Sequence, residues 1–212
     1  MSDRNPLLIP AGYMLKAAQP RPTWITAPHV HEIASVSGCF AKPFADYTRY
    51  WRHNGMDLFD SPQAIFDLIA AEDLALPTDP RLYYYEAFPL ELAWNTQHLP
   101  DEGWRPYPTD ELAPTHPVPP AEKHLLGYDV IAYGDVIECS PLSCNAMADQ
   151  LPVNAHCLFD TFDAAKAAID GERFVGCEEG KYRIFAVHAV GAEPFTPGAT
   201  KLYFAMQDGV RS

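Results

Sequence analysis

The feature that most constrains this chain is a series of local signals that occurs twice, in the same order. In the first half, Gly12-Tyr13-Met14-Leu15 follows Pro10 and reads as a short strand. Ile33 to Cys39 reads as a second extended piece, ending in Ser37-Gly38-Cys39. Leu58-Phe59-Asp60 then leads into a helix. Ser61 is its N-cap, and Pro62 stands at the first helical position, where a missing N–H costs nothing. Ala64, Ile65, Leu68 and Ile69 give this helix one apolar face, it must end before Pro77, and Leu82 to Phe88 reads as an aromatic strand.

The second half repeats the order. Gly127 to Ile131 reads as a strand, and Val136 to Cys144 as a strand, a turn at Pro141 and a short helix. Leu158-Phe159-Asp160 precedes a helix with Thr161 as N-cap, an apolar stripe of Phe162, Ala165, Ala168 and Ile169, and Gly171 as its stop. Tyr182 to Val190 is the closing strand. The pattern predicts an α+β fold of two similar strand-helix-strand units, residues 1–94 and 124–212, packed about a pseudo-twofold with mixed or antiparallel sheets. The aromatic strands are expected near the junction.

Between the units, residues 95–123 carry Pro100, Pro106, Pro108, Pro114, Pro117, Pro119 and Pro120. That spacing disfavours helix and sheet and predicts an extended connector, clamped on the surface by Trp94, Trp104 and Tyr107. One compact body is expected, with Lys201 to Met206 as a tail strand at a sheet edge.

Charge narrows the function classes. A net charge of -13 and a pI near 4.9 oppose binding to nucleic acid or an anionic membrane, and favour a basic protein partner. Met1 to Pro10 lacks the basic start and apolar run of a signal peptide, and no stretch is long and apolar enough to span a bilayer. The five cysteines (Cys39, Cys139, Cys144, Cys157 and Cys177) are odd in number and scattered, as expected of reduced thiols in the cytoplasm.

Duplication also sorts residues, because features found in both halves serve the fold and features found once are candidates for function. Cys144 reads as lying at the start of a short helix, where a thiol pKa is lowered, with His156 nearby as base and Asp160 to orient it. Against this, Cys39 stands at the matching turn, and a repeated cysteine reads as a small buried hydrophobe. Cys139, Cys144, His156 and Cys157 offer zinc-type donors at irregular spacing, so no metal and no cofactor is expected. His29 and His31 share one face of an extended segment that lacks a third ligand and reads as a solvated edge.

Two aromatic stretches remain. Phe44 to Gly55 reads as a helix whose residues Tyr47, Arg49, Tyr50, Trp51, Arg52 and His53 are the candidate recognition surface, since Tyr, Trp and Arg dominate binding hot spots. On the Tyr83-Tyr84-Tyr85-Glu86 strand, Glu86 beside aromatic surface is expected to carry a raised pKa and act as acid or base. No phosphate-binding glycine loop, G-x-S-x-G or H-E-x-x-H occurs. The expected function is therefore a protein-binding module such as an inhibitor, immunity or regulatory protein. The alternatives are an enzyme with a cleft between the units, acting by thiol-dependent acyl transfer or hydrolysis, and a structural subunit of a larger assembly.

Overall fold

The computed structural model describes residues 7–40, 56, 58–76, 78–94, 100–106, 117–133, 138–178 and 180–191. Over these the chain is α+β: an antiparallel sheet with few helices. The expected helix over residues 44–55 and the tail strand over 201–206 lie outside the described residues.

Strand β1 (Ile9–Ala17) pairs antiparallel with β2 (Pro80–Ala87), and β2 pairs antiparallel with β7 (Gly180–Val190). The other edge of β7 takes β5 (Lys123–Tyr133) along nearly its whole length, and β5 carries the short β6 (Glu138–Cys139). The aromatic strand β2 thus lies directly against β7.

A glycine at the start of β1 and another within β5 solve one packing problem in the same way. Gly12 has φ +134°, and a Cβ there would sit 2.7 Å from the Phe59 carbonyl oxygen and 2.7 Å from Leu58 Cβ. Gly127 has φ +148°, and its Cβ would sit 2.7 Å from the Phe159 oxygen and 2.8 Å from Leu158 Cβ. Only glycine has both the backbone freedom and the empty space these contacts need. The next residues, Tyr13 and Tyr128, exchange backbone hydrogen bonds with Phe59 and Phe159. Each Leu-Phe pair is thereby pinned just ahead of an Asp and the N-cap residue of a helix.

Those helices are α1 (Pro62–Glu72) and α3 (Phe162–Asp170). Ser61 Oγ accepts the Ala64 N–H at 3.2 Å, and Thr161 Oγ1 accepts the Ala164 N–H at 3.2 Å, so both expected caps form. The whole expected stripe of α3 is buried. Gly171 occupies its C-cap with φ -89°, and the left-handed residue that turns the chain away is Glu172 at φ 54°.

Two departures from the sequence reading concern proline. Pro100–Pro106 forms β4, paired antiparallel with β3 (Leu90–Trp94), inside the stretch expected to resist sheet. Its prolines stand at the two ends of an edge strand, where a missing N–H breaks no inner ladder. Pro141 opens helix α2 (Pro141–Cys144), so Cys144 closes that helix instead of starting it.

The segment after β1 crosses to pack on the other side of the molecule. Ile25, Ala27, Val30 and Ile33 join the core of β5, α2, α3 and β7, while β1, α1 and β2 share a second core with Phe185 and Val187. Asp149 holds the crossing by accepting the Thr26 and Ala27 N–H groups, each at 2.8 Å through Oδ1. Among the described residues, no helix is long and apolar enough to cross a membrane.

Candidate functional site

The crossing segment ends on a buried polar clamp. Lys16 on β1 is 2% exposed, and its Nζ donates to the Ser35 and Ser37 carbonyls. Asp129 on β5 is fully buried; it accepts Ser35 Oγ at 2.7 Å and the Val36 N–H at 2.9 Å through Oδ2, and Ser140 Oγ at 2.7 Å through Oδ1. Burial raises its pKa, and the hydrogen bonds from Ser140, Ser35 and Val36 act in the opposite sense. A carboxylate so placed ties residues 35–36 to the turn between β6 and α2.

Three cysteines converge where those two segments meet. Ser37 Oγ accepts the Cys39 N–H at 3.2 Å and so shapes the 3-10 turn Gly38–Phe40, which carries Cys39. Cys139 ends β6, and Cys144 ends α2. The Cys39 and Cys139 sulfurs are 3.9 Å apart, and the three sulfurs all lie within 4.8 Å of one another. Cys39 is exposed, Cys144 half-buried and Cys139 buried. Ser37 Oγ and Ser143 Oγ approach the Cys144 sulfur at 4.0 and 3.9 Å.

The trio divides its protons unequally. The Cys39 pKa falls below the usual thiol range because Cys139 first, and then Cys144, hydrogen-bond to its sulfur. Hydrogen bonds with Cys144 first and then Cys39 raise the Cys139 thiol, with burial adding to them; for Cys144 the hydrogen bond with Cys139 lowers the pKa, but Cys39 and burial outweigh it and raise it. These directions favour loss of the first proton from Cys39, the exposed member of the trio.

The structure places these residues differently from the sequence reading. Cys144 gains no activation from a helix start, because it lies at the helix end. Cys39, read as a small buried hydrophobe, is exposed, and it shares one cluster with Cys144. The sulfur set is Cys39, Cys139 and Cys144, without His156 or the buried Cys157. Burial raises the Cys157 thiol and the Cys177 thiol, the latter to about 11.

The other expected catalytic residues lie in other settings. His156 Nδ1 pairs with Glu32 Oε1 at 2.7 Å, and Glu32 Oε2 also takes Arg81 Nη1 at 3.0 Å. The hydrogen bond from His156 leads in lowering the Glu32 pKa, burial opposing it. Asp160 is exposed, just before the Thr161 cap. His29 and His31 are exposed, with Val30 buried between them, in keeping with a solvated edge.

Glu86 reverses the expected direction. Burial does raise its pKa, but hydrogen bonds from His188 Nε2 at 3.0 Å and Lys123 Nζ at 2.5 Å outweigh burial and hold it at about 2. Partners on β7 (His188) and β5 (Lys123) make it a paired carboxylate, unsuited to neutral-pH proton transfer. An open cleft of about 350 Å³, bordered by Lys123, His124, Ala189 and Gly191, adjoins this group. The residues expected to form a recognition surface, Tyr47, Arg49, Tyr50, Trp51, Arg52 and His53, lie outside the described residues.

Neither the sulfur cluster nor its Asp129 clamp follows from local sequence pattern. The one usable signal is the density of Ser beside Cys in Ser35-Val36-Ser37-Gly38-Cys39 and Cys139-Ser140-Pro141-Leu142-Ser143-Cys144. Compared with known proteins, the chain matches no family model, no curated protein and no solved structure.

Proposed function

We propose that this chain is a cytoplasmic redox thiol protein in which Cys39 reacts with an oxidant and Cys139 resolves the product. The observation that carries this reading is an exposed cysteine with a second sulfur 3.9 Å away. Peroxide is the simplest oxidant. The Cys39 thiolate attacks one peroxide oxygen, the O–O bond breaks, and hydroxide leaves as the sulfur becomes a sulfenic acid. The Cys139 thiol then attacks that sulfur and forms the disulfide, and the sulfenic oxygen leaves as water after taking up the thiol proton. The sulfurs must close by about 2 Å to reach the disulfide bond length of about 2.05 Å. An external thiol restores the reduced pair by exchange.

The test follows single-thiol reactivity under limiting peroxide without metal. Cys39→Ser removes the fast-reacting thiol, while Cys139→Ser leaves Cys39 able to reach sulfenic acid but not the internal disulfide. Equal reactivity of the wild type and the Cys39→Ser protein contradicts the reading.

The backbone supports a further part of the account, in which one strand-helix-strand unit is used twice about a pseudo-twofold. The residue opposite Gly12 is Tyr85, the residue opposite Gly127 is Val187, and Tyr85 and Val187 face each other across β2 and β7. Exchange of the two units would swap the first two pairs and return the third to itself.

A second reading, an acidic protein-binding module for a basic partner, is favoured by the net charge of -13. Capture of a partner at low ionic strength that is lost at high salt supports it, and the absence of any salt-sensitive partner counts against it.

A further inference from the structure

We propose that Cys39, Cys139 and Cys144 together form a binding site for a thiophilic d10 cation, Zn²⁺ or Cu⁺. This goes beyond the redox reading, since it needs all three sulfurs at once and no oxidant.

Donor chemistry comes first. Among the described residues the cluster offers only sulfur, which selects soft cations and disfavours Mg²⁺ and Ca²⁺. Geometry agrees. With metal–sulfur bonds of about 2.3 Å, thiolates around one ion stand about 3.8 to 4.0 Å apart. Cys39 and Cys139 already have that separation, at 3.9 Å, and the upper bound on any pair is 4.8 Å. Closing the cluster on an ion therefore moves no sulfur pair by more than about 1 Å.

The site is also held in place. Its ligands come from a 3-10 turn, a strand end and a helix end, and the Asp129 carboxylate ties the segments that carry them through Ser35, Val36 and Ser140. Once Cys144 is a thiolate, the Ser37 and Ser143 hydroxyls at 4.0 and 3.9 Å are placed to donate to its sulfur, the kind of outer support that metal thiolates use. Exposure of Cys39 leaves one side of the site open to solvent. A three-sulfur set with an open side suits trigonal Cu⁺ as it stands, or Zn²⁺ with a water as fourth ligand.

The experiment titrates the reduced full chain, without oxygen, with Cd²⁺ as the spectroscopic stand-in for Zn²⁺ and separately with Cu⁺ against a competing chelator. The expected result is saturation at about one equivalent, with a sulfur-to-metal charge-transfer band for Cd²⁺ and release of thiol protons. Cys39, the exposed member of the cluster, is expected to lose its reactivity toward a thiol reagent in the native protein once the ion is bound. Thiol protection in the wild-type protein needs no variant and so does not depend on how a variant folds. Cys39→Ser, Cys139→Ser and Cys144→Ser each weaken binding by at least about 100-fold, and Cys177→Ser leaves it unchanged. Saturation by Cd²⁺ alone assigns the site to a divalent ion, and saturation by Cu⁺ alone to a monovalent one. Saturation by neither overturns the proposal, as does binding that Cys39→Ser leaves intact. Disulfide formation in metal-free protein is a separate measurement, so either proposal can fail while the other stands.

Discussion

The sulfurs of Cys39 and Cys139 lie 3.9 Å apart although 100 residues separate them in the chain. What brings them together is a buried carboxylate, Asp129, on which both flanking segments hang: Ser35 and Val36 from one side, Ser140 from the other. Asp129 is not one of the three cysteines, yet it ties together the segments that carry Cys39 and Cys139.

Replacement of Asp129 tests that dependence. Asp129→Ala leaves two hydroxyls and the Val36 and Val130 backbone N–H groups without this buried acceptor, and is expected to cost about 3 kcal/mol or more of stability. Asp129→Asn keeps the shape and one acceptor oxygen, so it should cost less while slowing Cys39–Cys139 disulfide formation. Chemical denaturation and peroxide-driven cross-linking of the two variants give both numbers.

The two strand glycines are predicted to be equally intolerant. Gly12→Ala and Gly127→Ala each place a Cβ about 2.7 Å from a carbonyl oxygen at a φ that L-residues rarely adopt. Each is expected to lose about 2 kcal/mol or more. A matched pair of losses supports one unit used twice, whereas a large loss at one glycine and none at the other counts against it.

The helix caps give a smaller paired effect. Ser61→Ala and Thr161→Ala each remove a hydroxyl that accepts a first-turn N–H, and each should lower stability by about 1 kcal/mol. Thermal unfolding of the single and double variants measures this, and additivity is expected because the caps belong to separate helices.

How much of this was legible in the sequence follows from which contacts are local. Ser61, Thr161, the apolar stripe of α3 and the Gly-Tyr pairs are decided within a few residues, and their pattern names them. Cys39 beside Cys139 is decided by a long crossing of residues 18–37 over the second half, and no local pattern encodes such a path. Pro100 and Pro106 misled because strand ends tolerate proline and strand middles do not, a distinction that needs the pairing partner. Glu86 misled for a related reason: the aromatic neighbours that would raise its pKa are adjacent in sequence, but His188 and Lys123, which lower it, arrive from other strands.

Glu86 also sets a pH dependence. Its folded pKa is about 2 against an ordinary 4.5, so the unfolded chain binds its proton first. The stabilisation is complete above about pH 4.5 and is lost as pH falls toward 2. Glu86→Gln should flatten this part of the acid limb, with little change in its shape elsewhere. Denaturation midpoints from pH 6 down to about pH 2 provide the check.

Mass-spectrometric disulfide mapping of the metal-free chain after one equivalent of peroxide tests the central claim most directly. The account predicts one dominant cross-link, Cys39 to Cys139, with Cys157 and Cys177 still reduced. Cys39 recovered as a free thiol, or oxidised without a partner while Cys139 stays reduced, would contradict it.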